Sequence, residues 1–195
     1  MKDIKKIKVI AICGKAGSGK DTIKKLLFET YSNSNLHKII PTTTRPMREG
    51  ESQGNPYMFT TKEQYTFWLL GGHLVEATSF RDWFYGTHLN ALDATKINIG
   101  VFNPEAIECL KKDNRLDVTV VYIDASAKTR LLRQLTREDN PDVEEIIRRY
   151  GADEADFLEL GLDYEYETID NNDNTTEGLY KACEKLFGII QSQIG

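Results

Sequence analysis

The stretch with the clearest chemistry runs Gly14-Lys15-Ala16-Gly17-Ser18-Gly19-Lys20-Asp21-Thr22. Gly14, Gly17 and Gly19 allow the backbone to curl so that its N–H groups, those of Ala16 and Ser18 among them, point inward at an anion. Lys20 adds a point charge suited to the β- and γ-phosphates of a nucleotide. An apolar run from Lys8 to Cys13 precedes the stretch, and a helical pattern with Ile23, Leu26, Leu27 and Tyr31 on one face follows it. Strand, glycine-rich loop and helix is the setting in which such a loop binds phosphate, with the positive end of the helix dipole behind it. The residue after the lysine is usually Ser or Thr, whose hydroxyl binds Mg²⁺. Here Asp21 stands there, with Thr22 next. Asp21, directly or through water, or Thr22 in its place, is the candidate metal ligand.

A second group of anion-binding side chains follows. Arg45 and Arg48 are three apart in a segment punctuated by Gly50, Gly54 and Pro56, with Tyr57 and Tyr85 further on. Two guanidinium forks and two phenols can grip one phosphate from several sides.

These residues need a scaffold. The 195 residues fit one compact domain, and 40% hydrophobic content supplies a core. Short strands are expected at Lys8–Cys13, from Lys38 to Ile40, at Leu74–Ala77, Arg81–Thr87 and Ile97–Phe102, at Val118–Ile123 and at Tyr166–Ile169. Helices are expected after the glycine-rich loop, at 62–70, from Leu89 to Ala94, from Pro104 to Leu110, after Asp124 with Leu131, Leu132 and Leu135 inward, and at 143–158. A final helix is opened by an Asn174/Glu177 capping box, with Leu179, Ala182, Cys183, Leu186 and Ile190 inward. Asp124 reads as a helix N-terminal residue, and Ser32–Asn35 as a break. Strands alternating with helices imply an α/β fold with a parallel sheet covered on both faces. The polar block from 45 to 87 reads as a small insertion beside it.

Composition narrows the partners. A net charge of −5 with no long basic run argues against a nucleic-acid polymer. No apolar run approaches membrane-spanning length, and no secretory leader is read. Three widely spaced cysteines, Cys13, Cys109 and Cys183, suit a reducing, cytoplasmic compartment. The three histidines form no ligand spacing.

The segment Thr42-Thr43-Thr44-Arg45-Pro46-Met47-Arg48-Glu49-Gly50-Glu51-Ser52-Gln53-Gly54-Asn55-Pro56-Tyr57-Met58-Phe59 closely resembles the guanylate kinase motif S-T-T-R-x-x-R-x-G-E-x-x-G-x-x-Y-x-F. Leu74-Val75-Glu76 and Tyr85-Gly86-Thr87 resemble later parts of the same subdomain. With the phosphate loop upstream, the resemblance covers nearly the whole chain. It implies a P-loop kinase core, a monophosphate-binding subdomain at 36–90 and a helical lid at 126–156, with the core at 1–35, 91–125 and 157–195. It implies ATP as phosphoryl donor, Mg²⁺, and a nucleoside or deoxynucleoside monophosphate as acceptor, with GMP or dGMP foremost. Arg45, Arg48, Tyr57 and Tyr85 would hold the acceptor phosphate, and Glu51 would orient that site. Glu76 would accept hydrogen bonds from the base edge, and Thr87 would touch its carbonyl. Arg137 and Arg149 would close over the transferring phosphates, whereas Arg130 reads as an exposed surface charge. Asn171, after the last strand, would touch adenine or serve as a turn residue.

The chain departs from the pattern twice. Gly100-Val101-Phe102-Asn103 lacks the carboxylate that reads the guanine amino group, and Pro41 stands at the place of a base-reading serine, leaving Thr42 as its substitute. A kinase of different or broader base specificity is the alternative acceptor reading. From another class, a non-catalytic guanylate-kinase-like binding module is the rival, but such modules carry degraded phosphate loops and this one is intact.

Overall fold

The computed structural model describes residues 5–32, 35–137, 139–160 and 165–193. The chain divides into two compact units, Met1–Ile10 with Asn35–Val118 and Ala11–Ser34 with Thr119–Gly195. Strands β1 (Ile7–Cys13) and β8 (Leu116–Asp124) contribute residues to both. Asn33 and Ser34 of the expected break lie outside the described residues.

A five-stranded sheet has the order β2-β7-β1-β8-β9, with β2 at Leu36–Lys38, β7 at Ile97–Val101 and β9 at Glu167–Asp170. β2 pairs parallel with β7, and β8 parallel with β9. Parallel pairs need crossovers: α1 (Lys20–Thr30) follows β1, α3 (Pro104–Lys112) links β7 to β8, and α4 (Ala127–Leu135) with α5 (Val143–Leu160) links β8 to β9, while α6 (Thr176–Ser192) follows the last strand. Val9 to Cys13, Ile99, Val120, Val121 and Ile123 are all buried, as expected of β-branched strands covered on both faces. Among the described residues no helix is long and apolar enough to cross a membrane.

The block from 45 to 87 contributes to a second sheet in the first unit. Its order is β4-β3-β6-β5, with β3 at Thr42–Thr43, β4 at Met58–Phe59, β5 at Leu74–Phe80 and β6 at Trp83–His88. Helix α2 (Lys62–Leu70) packs on one face, where Tyr65 stacks on Phe84 and donates from its hydroxyl to Tyr85 O at 2.7 Å.

Several elements differ from the sequence expectation. The strand placed from Lys38 to Ile40 begins earlier, at Leu36, and the helix from Leu89 to Ala94 is only a 3-10 turn at Leu89–Ala91. Asp124 ends β8. The α4 cap is Ser126, whose Oγ accepts from Thr129 N–H at 3.2 Å. The α6 cap is Thr175, whose Oγ1 accepts from Gly178 N–H at 3.0 Å. Asn174 is drawn away because its side-chain oxygen accepts from Arg133 Nε at 2.8 Å. The inward face of α4 is also rotated. Leu132 and Leu135 are exposed, while Thr129 and Arg130 are buried.

Candidate active site

In the second unit the glycine-rich loop is held open from behind. Gly17 and Gly19 have φ of 80° and 90°, values that L side chains rarely adopt. A Cβ at Gly17 would lie 2.5 Å from Arg130 O, and one at Gly19 would strike the Asn171 side-chain amide. Asn171 Nδ2 donates to Ser18 O at 2.7 Å, and Arg133 bridges the loop and the 171–174 turn. Its Nη1 donates to Ser18 O at 3.3 Å and its Nη2 to Asn171 O at 2.8 Å. Ser18 Oγ is buried and has no hydrogen-bond partner among the described residues. An orphaned buried hydroxyl in a loop whose glycines are packed closely from behind fits an oxygen-rich anion. Lys20 opens α1, so its charge and the helix N-terminus lie at one place.

Beside this loop is a cavity of about 500 Å³ whose lining includes Gly19, Thr22, Leu132, Arg133, Asn171 and Thr175. It offers an apolar wall, a guanidinium plane and an amide, which suits a purine ring. Exposed Leu132 therefore forms part of a cavity wall, where helical periodicity suggested a core position. Asp21 is largely exposed, 3.9 Å from Lys24.

Arg130 corrects the sequence reading most sharply. It is 3% exposed: Nε donates to Ala125 O at 3.1 Å, Nη2 pairs with Glu154 at 2.8 Å, and the guanidinium lies 4.9 Å from the Tyr150 ring centroid. Arg137 is exposed beyond the end of α4. Arg149 is exposed on α5 and, with Arg148, pairs with Glu145 at 2.7 Å. The structure therefore brings Arg130 and Arg133, not Arg137 and Arg149, to the loop. Their spacing of three, followed by Arg137 four later, is a basic helical stripe legible in the sequence.

In the first unit the acceptor candidates assemble on one sheet face. Tyr85 and Thr87 alternate along β6 to the same side, and Glu76 of β5 is the register partner of Thr87. Arg45, 4% exposed, holds Glu51 through two parallel bonds of 2.8 and 2.9 Å. Glu51 also accepts Arg48 N–H at 2.8 Å. Tyr57 lies 5.5 Å from the Arg45 guanidinium and meets Tyr85 edge-on at 5.8 Å. The hydrogen bond from Arg45, then that from Arg48 N–H, holds Glu51 at about 2, so the pair stays ionised wherever a phosphate is dianionic. The Arg48 side chain is exposed.

Glu76 is 6% exposed and accepts from Thr87 Oγ1 at 2.8 Å. Burial raises it to about 7, the Thr87 bond opposing and Glu105 assisting. The sign follows from linkage. The native state binds this proton more tightly than the unfolded chain, so its contribution to stability is full below about 4.5 and is lost as pH rises through about 7. Thr42 stands apart from this group. It pairs with Gly86 while Thr43 pairs with Tyr85, so Thr43 shares the Glu76 face and Thr42 the other. There Thr42 lines a cavity with Met58, Trp68 and His88.

Comparisons with known proteins bear on the family and the fold. A protein-family model described as "Guanylate kinase" matches residues 6–193. The chain is 29% identical to a guanylate kinase of Campylobacter jejuni (strain RM1221) over 183 residues, 92% of this chain and 87% of that one. It is 32% identical to a guanylate kinase of Helicobacter hepaticus (94% and 96% covered) and 28% identical to a human one (91% of each). A solved structure of a guanylate kinase from Anaplasma phagocytophilum aligns with a TM-score of 0.65 at 19% identity, over 97% of this chain and 88% of that one, which speaks for the fold.

Proposed function

The chain belongs to the guanylate kinase family, and on that premise we propose that it transfers the γ-phosphoryl group of ATP to the phosphate of GMP or dGMP. It is an enzyme, a nucleoside monophosphate kinase. The observation that carries the acceptor assignment is the buried Glu76–Thr87 pair on the same sheet face as Tyr85. Ionised Glu76 accepts from a guanine N1–H and amino group, and Thr87, whose one hydroxyl proton goes to Glu76 in the nucleotide-free protein, turns to donate it to the ring carbonyl. Arg45, Arg48, Tyr57 and Tyr85 take the phosphate, with Glu51 fixing the Arg45 fork.

No general base is required, because the nucleophile is a phosphate oxygen already ionised at neutral pH. Catalysis is positioning and charge neutralisation: the acceptor oxygen must reach the γ-phosphorus in line, at about 3–3.5 Å. The loop amides between Gly14 and Lys20 and the Lys20 ammonium hold the donor phosphates, except that of Ser18, which the sequence pointed at the anion and which instead donates to Lys15 O at 3.1 Å across the turn. Arg133, Asn171 and Thr22 frame its base. Arg137 and Arg149 are assigned to the transferring group, which requires Arg149 to leave Glu145. Asp21, an exposed carboxylate at the head of α1, has the hard oxygen donors Mg²⁺ takes, whereas Thr22 faces the base cavity. Bound there, Mg²⁺ would neutralise charge on the β- and γ-phosphates. Asp21→Asn is expected to raise the Mg²⁺ concentration for half-maximal rate about tenfold, the size of one charge-assisted bond. An unchanged magnesium titration would move the ligand to Thr22.

Base selection supplies the test of function. Glu76→Gln presents a donor where an acceptor is needed and is expected to lower kcat/KM for GMP and dGMP by roughly 1–3 kcal/mol, leaving AMP and dAMP little changed. In the wild type, the GMP-to-AMP ratio of kcat/KM should rise with pH and level off above about 7, where Glu76 is ionised. The ratio cancels the acceptor phosphate's own ionisation near pH 6, and its pH dependence should vanish in Glu76→Gln. If the mutation scales all acceptors equally, Glu76 does not read the base. One observation favours a second, broader acceptor range. The stretch Gly100–Asn103, which lacks the family's guanine-reading carboxylate, offers no substitute acceptor in Asn103, because its side-chain oxygen caps α3, accepting from Ala106 N–H at 2.8 Å. Discrimination among bases then rests on Glu76 and Thr87.

A further inference from the structure

The glycine-rich loop already touches two carboxylates. Ala16 N–H donates to the Asp153 carboxylate, and Lys15 Nζ pairs with Glu154 at 2.6 Å. The two acids are consecutive on α5, the helix that also carries Arg149. They are not equivalent. Glu154 is gripped from two sides, by Lys15 and by buried Arg130, which in turn faces Tyr150. It therefore anchors α5 to the loop. Asp153 instead takes a backbone amide of the kind that recognises anionic oxygens in such a loop.

We propose that Asp153 is a tethered competitor of the donor phosphates: in the nucleotide-free protein its carboxylate occupies the Ala16 amide, and the donor binds by displacing it. The proposal rests on the reading of Gly14–Thr22 as the donor loop. One N–H cannot donate in line to two oxygens, and a phosphate brought to this amide would meet Asp153 as a like charge. Asp153 must leave, and with it goes one of the two ties that, among the described residues, hold α5 to the loop, which leaves α5 freer to shift. Donor binding thus loosens the helix whose Arg149 is paired with Glu145 at rest. Glu154 limits the shift, because releasing it would leave the Arg130 guanidinium buried without its carboxylate.

The test is calorimetric titration of wild type, Asp153→Ala and Asp153→Asn with inorganic tripolyphosphate, ADP and adenosine, alongside Tm. Asp153→Ala is expected to bind tripolyphosphate and ADP about tenfold more tightly, the size of one charge-assisted hydrogen bond removed from the competing state. Asp153→Asn should gain less, since its amide oxygen still accepts from Ala16. Adenosine, which has no phosphate, should bind all three proteins alike. Unchanged or weaker phosphate binding in variants with wild-type Tm overturns the proposal, as does an equal gain for adenosine. If the wild type itself fails to bind tripolyphosphate and ADP, the donor-loop reading falls and takes this proposal with it.

Discussion

Lys20→Ala is expected to lower kcat by roughly 10²-fold or more while leaving Tm near the wild-type value. The loop keeps its inward amides and the N-terminus of α1 in this variant, so some donor affinity remains. Those contributions are modest: a helix terminus adds about 0.3–1 kcal/mol to an anion at an exposed site. A full positive charge aimed at phosphates from which water is excluded is worth several times that, and it acts most strongly as negative charge moves to the leaving oxygen. Lys20 is outside the apolar core, whose buried residues on α1 are Ile23 and Leu27, so folding has little reason to suffer. The measurement is a coupled assay of ADP release with ATP, Mg²⁺ and saturating acceptor, with Tm recorded on the same sample. Near-normal turnover would remove the loop from the chemistry.

Arg45→Ala is expected to reduce kcat/KM by about 10²-fold for every monophosphate, the loss of two charge-assisted hydrogen bonds. The reason for uniformity is that a guanidinium beside Tyr57 and Tyr85 meets phosphate and not base. The structure adds a reason for severity. Glu51 is held by two bonds from Arg45 and one from Arg48 N–H. Without Arg45 its carboxylate would face the incoming phosphate as a like charge. Arg45→Lys should recover little, because an ammonium cannot reproduce the parallel pair of bonds. Steady-state kinetics with GMP, dGMP, AMP, dAMP and dTMP decides the matter, with ATP KM as the control. A base-selective loss, or a raised ATP KM with acceptor parameters intact, would place Arg45 elsewhere in the mechanism.

The two contact patterns explain how far each site could be read from residues alone. The loop from Gly14 to Thr22 and the segment from Thr42 to Phe59 are contiguous, and their function depends on local backbone geometry that glycine, lysine and arginine spacing specifies. Helix α2 ends at Leu70 just before Gly71-Gly72, as anticipated, because its stop signal is also local. Thr42 and Thr43 mark the limit. A one-residue change of register sends a side chain to the opposite face of a sheet, and the pairing of Thr43 with Tyr85 was not legible without the partner strand.

Composition and spacing by themselves determined the α/β class, and they singled out the glycine-rich loop and the arginine–tyrosine segment as the candidate sites. Tertiary structure alone decided which α4 side chains turn inward, which residue caps α6, and how far Glu76 is shifted. Arg130 looked like a solvated charge until Ala125 O, Glu154 and Tyr150 surrounded it. Asn174 looked like a cap until Arg133 engaged it. In both cases the deciding partner lies on another segment, and local propensities of a few tenths to about one kcal/mol yield to a guanidinium's need for acceptors, which is strongest where, as at Arg130, it is buried.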